Sequence, residues 1–182
     1  MQRLSIALRI GACLALVGVL GGCATMNAED CQKADWQSLG YNDASSGSGS
    51  ATGRRRAEAC QELGFGADMG AYGRGWQDGL RVFCTPGGAE NFARRGGRYE
   101  TGYCPPELEP QFLYYYRPAF ERFEYQRRMR ELQNDIDRQY REIDRLRERQ
   151  RKGENVGDRL HRAERELRRL RDRMNTESML RY

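Results

Sequence analysis

The sequence predicts a mainly α fold: a small, disulfide-bridged, glycine-rich helical domain, followed by a long antiparallel helical hairpin of coiled-coil type. Three observations carry this. Over the last third, apolar residues recur in steps of three and four, the period of packed helices. In the middle, tryptophan, tyrosine and glycine repeat at helical intervals. Across that same middle lie four cysteines, Cys31, Cys60, Cys84 and Cys104. With 38% apolar and 31% charged residues in a chain of 182, any compact core is small and needs covalent support.

The chain opens with positive charge at Arg3 and Arg9, and an apolar run over 10–22. That run is too short to cross a hydrocarbon layer of about 30 Å and reads as a secretory leader, residues 1–22. It ends in Leu20-Gly21-Gly22-Cys23, which resembles the bacterial lipobox, a small-residue pair before an acceptor cysteine. The resemblance implies cleavage before Cys23, diacylglycerol on its sulfur and an acyl chain on the new amino terminus. Several such chains hold a protein stably on a bilayer. Ala24, where an aspartate would direct retention in the inner membrane, favours a periplasm-facing anchor in the outer membrane, with 23–30 as the tether. An ordinary cleaved leader, leaving Cys23 a spare thiol, is the competing reading.

Cys13 departs with the leader and Cys23 is acylated, so four cysteines remain for an oxidising compartment. Three pairings are open, and the pairs nearest in sequence, Cys31–Cys60 and Cys84–Cys104, are preferred. The spacings contain no close C-x-x-C pair, which argues against a zinc site. No metal and no cofactor beyond the acyl chains is expected.

Within 31–116, Trp36, Leu39, Gly40, Asp43, Ala44 and Gly47 fall at helical intervals that Tyr72, Gly75, Trp76, Gly79, Leu80 and Phe83 repeat. Glycine inside a helix costs about 1 kcal/mol against alanine, so its recurrence on an apolar face asks for close approach by another backbone or ring. Trp36, Gly40, Tyr72, Gly75, Trp76 and Gly79 are therefore the candidate interaction face. A pair of β-hairpins with turn glycines is the alternative. Residues 45–53 read as a flexible loop, 54–63 as a short helix closed by Gly64, and 85–106 as irregular.

The patterns D-W-x-x-x-G-x-x-D at 35–43, Y-x-x-G-W-x-x-G-L-x-x-F-C-T-P at 72–86, G-x-x-Y-x-x-x-x-C-P at 96–105 and L-E-P-x-F-L at 108–113 resemble a proteobacterial lipoprotein family catalogued as a domain of unknown function. The resemblance covers 31–116. It implies a secreted, acyl-anchored, cysteine-bridged domain and brings no activity with it. The chain departs from the family in its serine-glycine run and at Pro118, where glycine is more usual.

Residues 117–182 carry 20 basic and 14 acidic side chains, whereas 24–116 carry 9 and 12, so the positive charge belongs to the C-terminal part. One seam runs Tyr125, Met129, Leu132, Ile136, Ile143, Leu146, with a polar gap at Gln139; a second runs Val156, Leu160, Ala163, Leu167, Leu170, Met174. Gly153 suits the end of the first helix, Asp158 the cap of the next, and Pro118 the first turn of the long helix. A single broken helix that dimerises through the seams, giving a homo-oligomer, is the alternative. Glu124–Arg128, Asp137–Arg141, Glu148–Lys152 and Glu164–Arg168 stand four apart, so much of the charge is expected to pair on a solvated face. The remaining excess suits anionic partners: lipopolysaccharide phosphates, anionic lipid or peptidoglycan carboxylates. An exported location excludes nucleic acid.

No catalytic constellation emerges. The sole histidine, His161, lies one step from a seam with no neighbouring nucleophile. The carboxylate pairs Glu107/Glu109 and Asp35/Asp43 have the residue types of glycosidase chemistry without any marking motif, and Asp35 reads better as a helix cap. The expected function is a non-enzymatic tether, scaffold or adaptor of the cell envelope, docking on an envelope protein or polymer. A cell-wall hydrolase, or a regulator of one, is the alternative.

Overall fold

A computed structural model describes residues 26–49 and 51–179; the leader and Cys23 lie outside these. The described residues form helices and no strands, so the β-hairpin alternative falls away. The chain divides after Arg81 into two compact units.

In the first unit, α1 (Ala28–Gln32) begins in a reciprocal cap: the Asn27 side chain accepts from the Asp30 amide at 2.8 Å, and the Asn27 amide donates to the Asp30 carboxylate at 3.2 Å. The tether expected over 23–30 is thus folded from Asn27 onward. Asp35 caps α2 (Trp36–Ser46), accepting from the Gln37 and Ser38 amides at 3.1 Å each. Gly47, at φ 78°, closes that helix. The expected loop over 45–53 shrinks accordingly, because α3 (Ala51–Glu62) starts at once and buries Gly53 beneath the Tyr72 ring. Gly64, at φ 83°, ends α3, with the Phe65 amide donating to the Cys60 carbonyl at 2.9 Å. A disulfide joins Cys31 on α1 to Cys60 on α3, and both cysteines are buried with Trp36 and Tyr72.

The glycines bring α2 and α4 (Met69–Phe83) into backbone contact. A Cβ on Gly40 would lie 2.9 Å from the Trp76 amide nitrogen, one on Gly75 would lie 3.0 Å from the Tyr41 amide nitrogen, and one on Gly79 would lie 2.7 Å from the Ala44 Cβ. Contacting positions rise together along both helices, so the two run in the same sense. Here the missing side chain matters through space alone, as the helical spacing predicts.

In the second unit, Thr85 and Pro86 begin a helix where the sequence reading has an irregular stretch. The Thr85 hydroxyl accepts from the Gly88 amide at 3.0 Å and Pro86 occupies the first turn of α5 (Pro86–Arg94), so the dipeptide acts as a cap and not as a stop. Phe83, Phe92, Tyr99, Phe112 and Tyr116 form an aromatic core; Phe83 lies 5.0 Å, centroid to centroid, from both Phe92 and Phe112. The Cys84–Cys104 disulfide closes the loop around it.

The long helix α6 (Glu109–Arg151) has 43 residues, about 65 Å of rise. It starts before the expected position, with Pro110 in its first turn and Pro118 inside it. Pro118 and Tyr114, whose carbonyl would have accepted from the missing N–H, are both exposed, the setting in which a proline inside a helix costs least. After a turn through Gly153, at φ 85°, α7 (Gly157–Met179) returns antiparallel to it. Asp158 lies within the first turn of α7 and does not cap it. Ile143, Leu146, Val156, Leu160 and Ala163 form the seam, with Leu167 packed against it. At the polar gap, the Gln139 side-chain amide donates to the Ala163 carbonyl at 3.1 Å.

Candidate functional site

The six residues of the expected interaction face do come together, but inward. Trp36 and Tyr72 are buried, the glycines Gly40, Gly75 and Gly79 are covered by the facing helix, and Trp76 is half-buried in the same core. Their chemistry is spent on joining α2 to α4.

Beside them sits a buried polar cluster that the sequence did not single out as a unit. Asp43, 5% exposed, accepts from Arg56 Nη2 at 2.9 Å and from the Tyr72 hydroxyl at 3.0 Å. Burial, and then the Asp43 charge, push the Tyr72 phenol above its usual range. One residue from each of α2, α3 and α4 meets here, so the cluster fixes how the three helices seat. A buried pair of this kind contributes specificity more surely than stability.

A second hydrogen-bonded cluster fixes the start of α6. Glu109 accepts from the Gly102 amide at 2.7 Å and the Tyr99 hydroxyl at 2.8 Å, while that hydroxyl accepts from the Cys104 amide at 3.0 Å. The Tyr116 hydroxyl donates to the Gly97 carbonyl at 2.9 Å and accepts from the Tyr99 amide at 3.1 Å. The Gly102 amide first, and then Tyr99, hold the Glu109 carboxyl below the usual glutamate range; burial pushes the Tyr99 phenol up to about 12. Glu109 is therefore a structural acceptor. Asp35 is likewise committed, its carboxyl lowered chiefly by the Ser38 hydroxyl at 2.6 Å. His161 is an exposed side chain 3.9 Å from Glu164. Among the described residues, no three histidine, cysteine or acidic side chains are placed to hold a metal ion.

On the hairpin the ion pairs differ from simple four-residue spacing. Glu124 pairs with Arg127 at 2.6 Å, and Glu164 crosses to Arg147 at 3.1 Å; Glu148–Lys152, at 3.4 Å, follows the expected register, with Arg151 on the same carboxylate. Cross-arm pairs Arg128–Glu177 and Arg159–Glu142, at 3.4 and 3.7 Å, follow the antiparallel register. One flank gathers arginines around a groove. There Arg159, Arg162, Arg165 and Arg169 line an open groove of about 490 Å3 against only two carboxylates, Glu142 and Glu166.

The motif-bearing positions thus span the cap at Asp35, the α2–α4 contact, the Cys84-Thr85-Pro86 turn and the start of α6. Residues 35–121 match the family described as Protein of unknown function (DUF2799). The DUF2799 match begins at the Asp35 cap, one position before α2, and ends inside α6 just beyond Pro118. It takes in the buried Asp43 cluster, the aromatic core and the Glu109 cluster, and leaves out the seam of the hairpin and its arginine groove. No curated protein and no solved structure matches the chain. Among the described residues, no helix is long and apolar enough to cross a membrane.

Proposed function

We propose that this protein is an exported lipoprotein, held by acyl chains at Cys23 on the periplasmic face of the outer membrane, that works as a non-enzymatic tether or scaffold of the cell envelope. The observation that carries the reading is the hairpin. Its arms bury one narrow seam against each other and leave charged flanks exposed along about 36 Å, from the Arg128–Glu177 pair to the turn. Such an element offers a long charged surface suited to contact with a partner. Two disulfides in a segment of modest apolar content suit the oxidising compartment to which the leader points. The partner is an envelope protein or an anionic envelope polymer.

The test is photo-crosslinking in living cells from exposed hairpin positions such as Tyr140, beside fractionation of wild type and Cys23→Ala. A discrete adduct from the hairpin, and loss of the substituted protein from the outer-membrane fraction, are expected. An adduct of twice the chain mass would make the partner a second copy. No adduct, with Cys23→Ala still in that fraction, would overturn the reading, as would peptidoglycan cleavage by the purified protein.

A further inference from the structure

We propose that the groove on the α7 flank binds a ligand carrying several phosphate groups. Arg159, Arg162, Arg165 and Arg169 line it, and their spacing sets what fits. Arg162 and Arg165 are about 4.5 Å apart along the axis, and Arg162 and Arg169 about 10 Å. A chain of linked phosphates therefore meets successive guanidinium groups, each able to grip two oxygens in its planar fork.

Charge pairing within the fold leaves these groups available. Neither Arg162 nor Arg165 has an ion-pair or hydrogen-bond partner among the described residues, and both are exposed. Arg159 reaches Glu142 only at 3.7 Å, a carboxylate that Arg145 holds at 2.9 Å, and Arg169 reaches Glu166 only at 3.5 Å. Exposed arginines without an ion-pair partner among the described residues also occur outside the groove, Arg168 and Arg171 among them, but they do not line it. What sets the groove apart is that four arginines converge on it, two of them unpaired among the described residues and two only loosely paired. Glu142 and Glu166 also discriminate: they repel a singly charged carboxylate, whose one charge recovers little, and are outweighed by an anion bringing three or more charges. The groove lies outside the DUF2799 match, so it is a property of this hairpin and independent of how the protein is anchored.

The probe is inorganic tripolyphosphate, titrated calorimetrically into the full chain in nonionic detergent at low salt. Saturable binding is expected, weakened at least about tenfold in the double variant Arg162→Gln/Arg165→Gln. A charge-matched control, Arg168→Gln/Arg171→Gln, removes two exposed arginines outside the groove and should stay within about twofold of wild type. Circular dichroism checks that both variants keep their helix content. A second arm uses phosphatidylcholine vesicles with and without phosphatidylglycerol. Groove-dependent binding to the anionic vesicles places the phosphates on lipid headgroups; groove-dependent binding to tripolyphosphate alone places them on a free anion. No binding of either probe, or equal losses in the two double variants, overturns the proposal.

Discussion

Two glycines two residues apart on α4 should respond to alanine with opposite sign. A Cβ on Gly73 meets nothing within 4 Å, so Gly73→Ala gains the helix propensity of alanine, up to about 1 kcal/mol. A Cβ on Gly75 would lie 2.8 Å from the Gln37 carbonyl carbon and 3.0 Å from the Tyr41 amide nitrogen. Both are backbone atoms of α2, which cannot turn aside as a side chain does. The helices must part, and overpacking of this kind costs about 1–3 kcal/mol. Separation also loosens the Gly40 and Gly79 contacts on the same face, so Gly75→Ala falls at the upper end. After the propensity gain, its net loss is about 2 kcal/mol. For a unit of this size that corresponds to a fall in Tm of about 8 °C or more, against a rise of a few degrees for Gly73→Ala. Thermal unfolding followed by circular dichroism, with the disulfides intact, measures both. If Gly75→Ala proved as stable as Gly73→Ala, the backbone contact between α2 and α4 would not exist as described.

The Glu109 cluster should impose an acid limb on stability. Its carboxyl is lowered in the folded state, so its contribution is present above the unfolded pKa and is lost as pH falls through the folded one; Glu109→Gln should flatten the change in urea midpoint below about pH 5, and an unchanged slope would remove Glu109 from that role. Tyr99 works at the other end. Its folded pKa is raised to about 12, so the stability it contributes is complete below the unfolded value near 10 and is lost as pH climbs from there; the alkaline fall should shrink in Tyr99→Phe. On the hairpin, Gln139→Leu should fill the gap in the seam and raise stability by up to about 1 kcal/mol, while removing the bond to the Ala163 carbonyl that fixes the register. Light scattering should then detect mixed association states, and a homogeneous, less stable variant would show that the polar contact is itself net stabilising.

The parts legible in the sequence are those in which one local rule dominates. The heptad steps give the seam of the hairpin, Gly153 gives its turn, and the glycine intervals at Gly40, Gly75 and Gly79 give two helices in close approach. The failures occur where one residue type signals two things. Thr85-Pro86 serves equally as a stop and as a cap with a first-turn proline, and the Thr85–Gly88 hydrogen bond decides it. Pro118 reads as a helix start because proline is rare in helix interiors, yet an exposed site is where an interior proline costs least. The serine-glycine run looks unstructured because its packing partner, Tyr72, lies far along the chain. The Asp43–Arg56–Tyr72 cluster could not be read from spacing, since its members come from three helices and share no motif. Nor could the arginine groove, which depends on which carboxylates turn across the hairpin and which do not.

One continuous helix forms both the wall of the aromatic core, at Phe112 and Tyr116, and the outgoing arm of the hairpin. It therefore acts as a lever whose short end is gripped by rings and by the Tyr99 and Tyr116 hydroxyls. A change of direction of about 5° at that end swings the far turn by about 5 Å over the helix length. Small repacking among the rings would thus be felt at Gly153 as a displacement the size of a side chain.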